Sequence, residues 1–230
     1  MSLYAIGDLH LSLGTDKPMD VFGGGWENYV EKIESGFSRL GPDDICVLCG
    51  DISWAMGLEE SLEDFRFINT LPGRKIILKG NHDYWWNTAA KMTAFFTQNG
   101  IVNIEILHNN CYYYDGAAIC GTRGWMSEGE DDTEHNKKIV AREASRLRAS
   151  LQEAGDAAEK LCFFHYPPRF KNMVCRDFVD VMDEFGVKKC WYGHIHSNGH
   201  RFAVTGEVEG IDYRMISADY VDFIPQLIMA

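Results

Sequence analysis

A chain of 230 residues with 46% hydrophobic and 24% charged content has an ordinary globular composition and is long enough to bury a sizeable core. Its formal net charge of −12 argues against gripping a long polyanion by general electrostatics. No run approaches the ~18 consecutive apolar residues of a membrane span, and residues 1–8 lack the basic flank and cleavage site of a signal peptide, so a cytoplasmic location is the default expectation.

Residues 3–6 form a short apolar strand that stops at Gly7, with Asp8-Leu9-His10 directly behind it. After a loop rich in Gly and Pro (residues 14–25), Trp26, Val30, Ile33, Phe37 and Leu40 recur at helical spacing, and Gly41-Pro42 closes that amphipathic helix. Residues 45–49 are the second strand, ended by Gly50-Asp51. Leu58, Leu62, Phe65, Ile68 and Leu71 mark the second helix, with Pro72-Gly73 as its turn. A third strand over 75–79 delivers Gly80-Asn81-His82-Asp83, and a helix over 88–98 follows.

The texture then changes. Residues 104–107, 111–114 and 117–121 are short strands separated by Asn109-Asn110 and Asp115-Gly116, which predicts antiparallel hairpins. An acidic run over 128–134 reads as a solvated loop, and a charged helix over 134–154 carries Val140, Ala144, Leu147 and Leu151 on its apolar face. The strand over 161–164 ends in His165, where Tyr166-Pro167-Pro168 forbids continuation. Val174, Phe178, Val181, Met182 and Phe185 predict a further helix, and the strand over 190–192 ends in Gly193-His194-Ile195-His196. Residues 200–208, 211–217 and the tail read as antiparallel strands. With no repeat or linker, one domain over 1–230 is expected.

Seven cysteines show no disulfide framework. Cys46 and Cys49 form a C-x-x-C, but within a strand positions three apart face opposite sides, so buried structural thiols in a reducing compartment are the expectation.

Strands alternating with helices imply a largely parallel sheet, whose ligands bind outside the carboxyl ends of the strands. Five strands place a polar group there: Asp8 and His10; Asp51; Asn81, His82 and Asp83; His165; His194 and His196. In four of the five a Gly comes directly before, which is expected to allow the abrupt turn. Any one of these residues alone could be a cap or a satisfied core histidine; five coincident blocks point to a site. Carboxylate, carboxamide and imidazole together suit Mn, Fe or Zn better than calcium. Seven ligands are too many for one tetrahedral ion, and two ions sharing a carboxylate would account for them and suit in-line attack on phosphorus.

These blocks resemble the calcineurin-like metallophosphoesterase pattern D-x-H, GD, GNH[DE], H and GHxH, in the family's order from residue 7 to 196. The resemblance implies an α/β fold, a four-layer α-β-β-α sandwich with two mixed sheets flanked by helices. It implies a phosphomonoesterase or phosphodiesterase in which a hydroxide on a two-metal centre attacks phosphorus. Asp8, His10 and His196 would bind one divalent transition-metal ion, Asn81, His165 and His194 the other, and Asp51 would bridge. His82 would contact the phosphoryl group or protonate the leaving group, with Asp83 orienting its imidazole.

Arg123, in Gly121-Thr122-Arg123-Gly124, is read as either a substrate-phosphate clamp or a salt-bridge residue. Trp54, Tyr84, Trp85, Trp86, Trp125 and Tyr166 crowd the motif loops, for core packing or for base stacking. His108, His135 and His200 lie outside the pattern. A small phosphoester is the expected partner, with no long nucleic acid and no membrane. The competing readings are a nuclease of the same superfamily and a non-catalytic scaffold that binds protein. Specificity is expected in the loops over 14–25, 124–135 and 167–173.

Overall fold

The computed structural model describes residues 1–126 and 133–230. Its first sheet is built from β1 (Leu3–Ile6), β2 (Ile45–Cys49), β3 (Arg74–Leu78) and β4 (Ile104–Ile106), all parallel. Helices α1 (Tyr29–Phe37), α2 (Leu62–Thr70) and α3 (Ala89–Gln98) are the crossovers between them. β2 is buried at every position because it is covered on both faces, as parallel strands normally are. Its alternation sends Cys46 and Leu48 toward the helices, and Ile45, Val47 and Cys49 toward the second sheet. The C-x-x-C thiols therefore face opposite ways, and all seven cysteines are free.

The second sheet contains β5 (Tyr112–Tyr114), β6 (Ala117–Thr122), β7 (Glu159–Phe164), β10 (Lys189–Tyr192), β11 (Gly206–Val208) and β12 (Ile211–Met215); β8 (Arg169–Phe170) and β9 (Met173–Val174) form a separate hairpin. Helices α4 (Glu134–Glu153) and α5 (Arg176–Glu184) are the crossovers from β6 to β7 and from β7 to β10, so these three strands are parallel, and β12 pairs parallel with β10 on its other side. Only its edges, β5 and β11, run antiparallel. The last strand, β13 (Gln226–Met229), returns to the first sheet and pairs antiparallel with β1. Three apolar layers result: one between α1–α3 and the first sheet, one between the sheets, and one between the second sheet and α4–α5. This is the four-layer sandwich.

The structure changes several expectations. The hairpin reading of residues 104–121 holds only for β5–β6, where Asp115 and Gly116 both take positive φ (44° and 79°), as a tight hairpin turn needs. β4 instead extends the first sheet, because α3 provides a crossover long enough for a parallel neighbour. Residues 200–202 belong to a 3-10 turn (Ser197–Phe202), not a strand. β12 is antiparallel to β11 but parallel to β10, which moves its carboxyl end to the rim of the other strands.

On α4, Leu147 and Leu151 are buried and Val140 and Ala144 half-buried as expected, but Glu143 and Ser150 are buried too. Both face β6 and its flanking residues: Ser150 Oγ accepts the Gly121 N–H at 3.1 Å, and Thr122 Oγ1 donates to Glu143 Oε2 at 2.9 Å. Most of the acidic run, residues 128–132, lies outside the described residues. No described helix is long and apolar enough to cross a membrane.

Candidate metal centre

The polar groups converge where the strand ends of both sheets meet. Asp8, His10, Asp51 and His194 themselves adopt left-handed backbone (φ 60°, 47°, 48° and 73°), conformations that cost a non-glycine residue about 1–2 kcal/mol. Of the four preceding glycines only Gly50 is left-handed, at φ 80°. Gly193 serves a different purpose from the expected turn: a Cβ there would collide with the Asp8 carboxylate. The absent side chain leaves the space in which Asp8 accepts the His194 N–H, at 3.0 Å to Oδ1 and 2.9 Å to Oδ2.

Two groups of donors result, Asp8 with His10 and His196, and Asp51 with His165 and His194, each with its donor atoms within 4.8 Å of one another. His10 Nε2 lies 3.3 Å from His196 Nε2. Asn81 Oδ1 joins the second group, 2.6 Å from His165 Nε2 and 3.0 Å from His194 Nδ1. Asp51 touches both groups: Oδ2 is 3.7 Å from His10 Nε2 and 3.6 Å from His165 Nε2. Its Oδ1 is occupied by the His82 N–H at 2.8 Å, which turns Oδ2 toward the imidazoles.

Burial sets the electrostatics. It pushes the Asp8 carboxyl up to about 8 and that of Asp51 to about 6, since an ionised carboxylate loses its hydration there. By the same cause His165 falls to about 3 and His194 is also lowered, so both imidazoles stay neutral. His196 is the exception. Burial opposes its charge, but the Asp219 hydrogen bond and the Asp8 carboxylate outweigh that and raise it to about 9. The donor set fits divalent cations. Imidazole nitrogens and carboxylate and carboxamide oxygens converge with no Lys or Arg among the described residues lining the cleft, His196 being the one imidazole that has to give up a proton to bind, and the N/O mixture suits first-row ions.

Asp219 is the residue that sequence reasoning missed. Its Oδ1 lies 2.8 Å from His196 Nδ1, its Oδ2 accepts the Ser197 N–H at 3.0 Å, and His200 Nε2 is 3.2 Å away. A carboxylate on the far nitrogen fixes the tautomer of a ligand histidine and turns Nε2 toward the ion. The signal was present, since Asp219 closely follows β12; only the parallel β10–β12 pairing puts it on the rim.

Asp83 requires a correction. It does not reach the His82 imidazole, whose Nδ1 is buried without a hydrogen-bond partner. Its Oδ1 accepts the N–H groups of Ile52 (2.8 Å), Ser53 (3.3 Å) and Trp85 Nε1 (3.0 Å), and Oδ2 that of Gly80 (2.7 Å). It therefore ties the loop after β2 to the loop after β3. His82 lines the cleft with its ring against Trp54, centroids 4.4 Å apart.

Arg123 faces a separate small hollow with Lys79, His108 and Arg146 and does not line the cleft. Its Nη2 lies 3.3 Å from buried Glu143 and its guanidinium over Trp125, so the geometry favours the salt-bridge reading over the phosphate clamp. Of the six aromatics in the motif loops, only Trp54 lines the cleft; Trp85 and Tyr166 are buried.

The calcineurin-like phosphoesterase family model matches residues 1–198. Among solved structures, a phosphopantetheinyl hydrolase from Mycobacterium tuberculosis aligns with a TM-score of 0.58 at 14% identity, covering 99% of this chain and 95% of its own. A protein of unknown function from Aquifex aeolicus gives 0.51 at 16% identity, covering 98% and 95%. A protein from Thermus thermophilus gives 0.53 at 14%, covering 84% and 81%. At such identities the likeness is one of fold. No curated protein matches the chain. The family match spans every strand end that carries a candidate ligand, and the chain belongs to the calcineurin-like phosphoesterases, metal-dependent hydrolases of phosphoester bonds.

Proposed function

We propose that the chain hydrolyses a small phosphomonoester or phosphodiester at a pair of divalent transition-metal ions (Mn, Fe or Zn), by in-line attack of water on phosphorus. The observation that carries this reading is Asp51 Oδ2, within 3.7 Å of one donor group and 3.6 Å of the other. Asp8, His10 and His196 would hold one cation, Asn81, His165 and His194 the second, and Asp51 would serve both. When bound, such a pair supplies a water of lowered pKa and neutralises charge that develops on the phosphoryl oxygens.

The chain's own residues supply the rest. Asp219 orients His196 through Nδ1. The His82 N–H holds Asp51, and the His82 ring, on the cleft wall, would contact the phosphoryl oxygens or pass a proton to the leaving oxygen. Asp83 fixes the two loops on which Asp51 and His82 are mounted. The partner on this reading is a small phosphoester. Seven free thiols favour a reducing, cytoplasmic setting.

Elemental analysis together with hydrolysis of p-nitrophenyl phosphate and bis-p-nitrophenyl phosphate under defined Mn, Fe or Zn loading tests the proposal. Uptake of two equivalents with turnover is expected. No uptake and no turnover of either ester would favour a binding scaffold.

A further inference from the structure

The donor cluster lines a cleft of about 230 Å³ together with an apolar wall: Met19, Phe22, Trp26 and Trp54. That wall is built onto the site. Trp54 stacks on the His10 ring (5.0 Å, 25°), and Trp26 meets His10 and His196 edge-on at 5.7 and 5.6 Å. The Trp54 Nε1–H donates to Met19 Sδ at 3.3 Å, which fixes the indole and keeps the thioether in the wall. Two successive 3-10 turns, Met19–Phe22 and Gly24–Trp26, carry Met19, Phe22 and Trp26, joined through Gly23 and Gly24 at φ 61° and 58°, and Trp54 comes from the loop after β2.

Phe22 shows what the wall lacks. It is 71% exposed, at the lip of the cleft, while the other three are partly or fully buried. A phenyl ring left in water beside a catalytic cleft gains when apolar surface covers it. No Lys or Arg among the described residues lines the cleft itself, and Lys17 Nζ stands 6.0 Å from the Trp54 ring.

Resting on the reading of this site as a phosphoesterase centre, we infer that the substrate is a phosphoester whose organic part is an aromatic ring, seated against Phe22, Met19 and Trp54 while the phosphoryl group meets the donor cluster. Aromatic walls favour a flat ring by offset stacking and edge contacts. At about 230 Å³ the cleft has room for one ring system.

Benzyl phosphate and ethyl phosphate carry chemically similar leaving alcohols, so their comparison isolates the ring. With metal-loaded protein, KM for benzyl phosphate is expected about tenfold below that for ethyl phosphate, the size of one buried ring contact. Phe22→Ser is expected to shrink that gap to about threefold or less. Val21→Ser, on the same turn but outside the cleft lining, is expected to leave it intact. Equal KM values for the two esters, or equal effects of the two substitutions, would overturn the inference. Binding of benzylphosphonate against ethylphosphonate, followed by calorimetry, reads the same seat without turnover. If no ester is hydrolysed, the phosphoesterase reading fails by itself; a benzylphosphonate preference lost in Phe22→Ser still supports the aromatic seat, and equal affinities refute it.

Discussion

Replacing Asp83 by Asn separates a catalytic role for this carboxylate from a structural one. Three donors converge on Oδ1 and one, the Gly80 N–H, on Oδ2. The amide would keep its oxygen on the crowded side and turn Nδ2 toward Gly80, putting two donors face to face. One buried donor left without an acceptor costs about 1–3 kcal/mol, which for a chain of this length lowers Tm by about 2–12 °C. Asp83→Ala strands all four donors, for a combined loss of roughly 3–5 kcal/mol because they share one pivot and do not add. Thermal melts of the metal-free and metal-loaded protein, paired with kcat against pH, form the assay. The expected result is a graded loss of Tm from wild type to Asn to Ala, with the kcat pH profile of the Asn variant unmoved. A melting temperature within a degree of wild type, combined with a displaced pH profile, would refute the clamp and restore a direct action on His82.

His82→Ala should retain two equivalents of metal while kcat falls by about 10²–10⁴, the range of a lost acid–base group, whereas Asn81→Ala should weaken metal binding itself; equal metal loss in both would show the division of roles to be wrong. Asp219→Ala should lower affinity for one cation by about 10–100-fold through loss of His196 orientation, read by competition with a chelator. Unchanged affinity would leave Asp219 a purely structural partner of Ser197. Metal binding should also tighten with pH. Burial raises Asp8 to about 8 and Asp51 to about 6, and the Asp219 and Asp8 carboxylates raise His196 to about 9; a cation needs all three deprotonated, so each proton expelled raises apparent affinity as pH climbs from 6 to 9. Calorimetry in buffers of different ionisation enthalpy counts those protons, and a pH-independent affinity across this range would contradict the assignment of these three groups as ligands.

Much of this protein is local in the sequence. Strand ends that stop abruptly and continue into Asp, Asn or His can be seen because strand geometry and a parallel sheet send every such end to one rim. The chain thereby specified the candidate donor residues, a largely parallel sheet and the opposed faces of Cys46 and Cys49, while the four-layer sandwich followed from the family resemblance. Pairing partners are not local. Whether β4 closes a hairpin or extends the first sheet depends on the crossover made by α3, and no periodicity within Ile104–Ile106 records that choice. The same holds for β12: its parallel pairing with β10 delivers Asp219 to His196. Asp83 and Arg123 show the limit most plainly. Beside His82 in sequence, Asp83 turns to the backbone of a different loop, because buried N–H groups need an acceptor and its carboxylate is the one within reach. Arg123 is held by Glu143, twenty residues on, across a helix packed against β6. Residue type and spacing determined which groups reach the rim, whereas tertiary packing decided which partner each group finds there, since hydrogen bonds and ion pairs are settled by distance in space rather than along the chain.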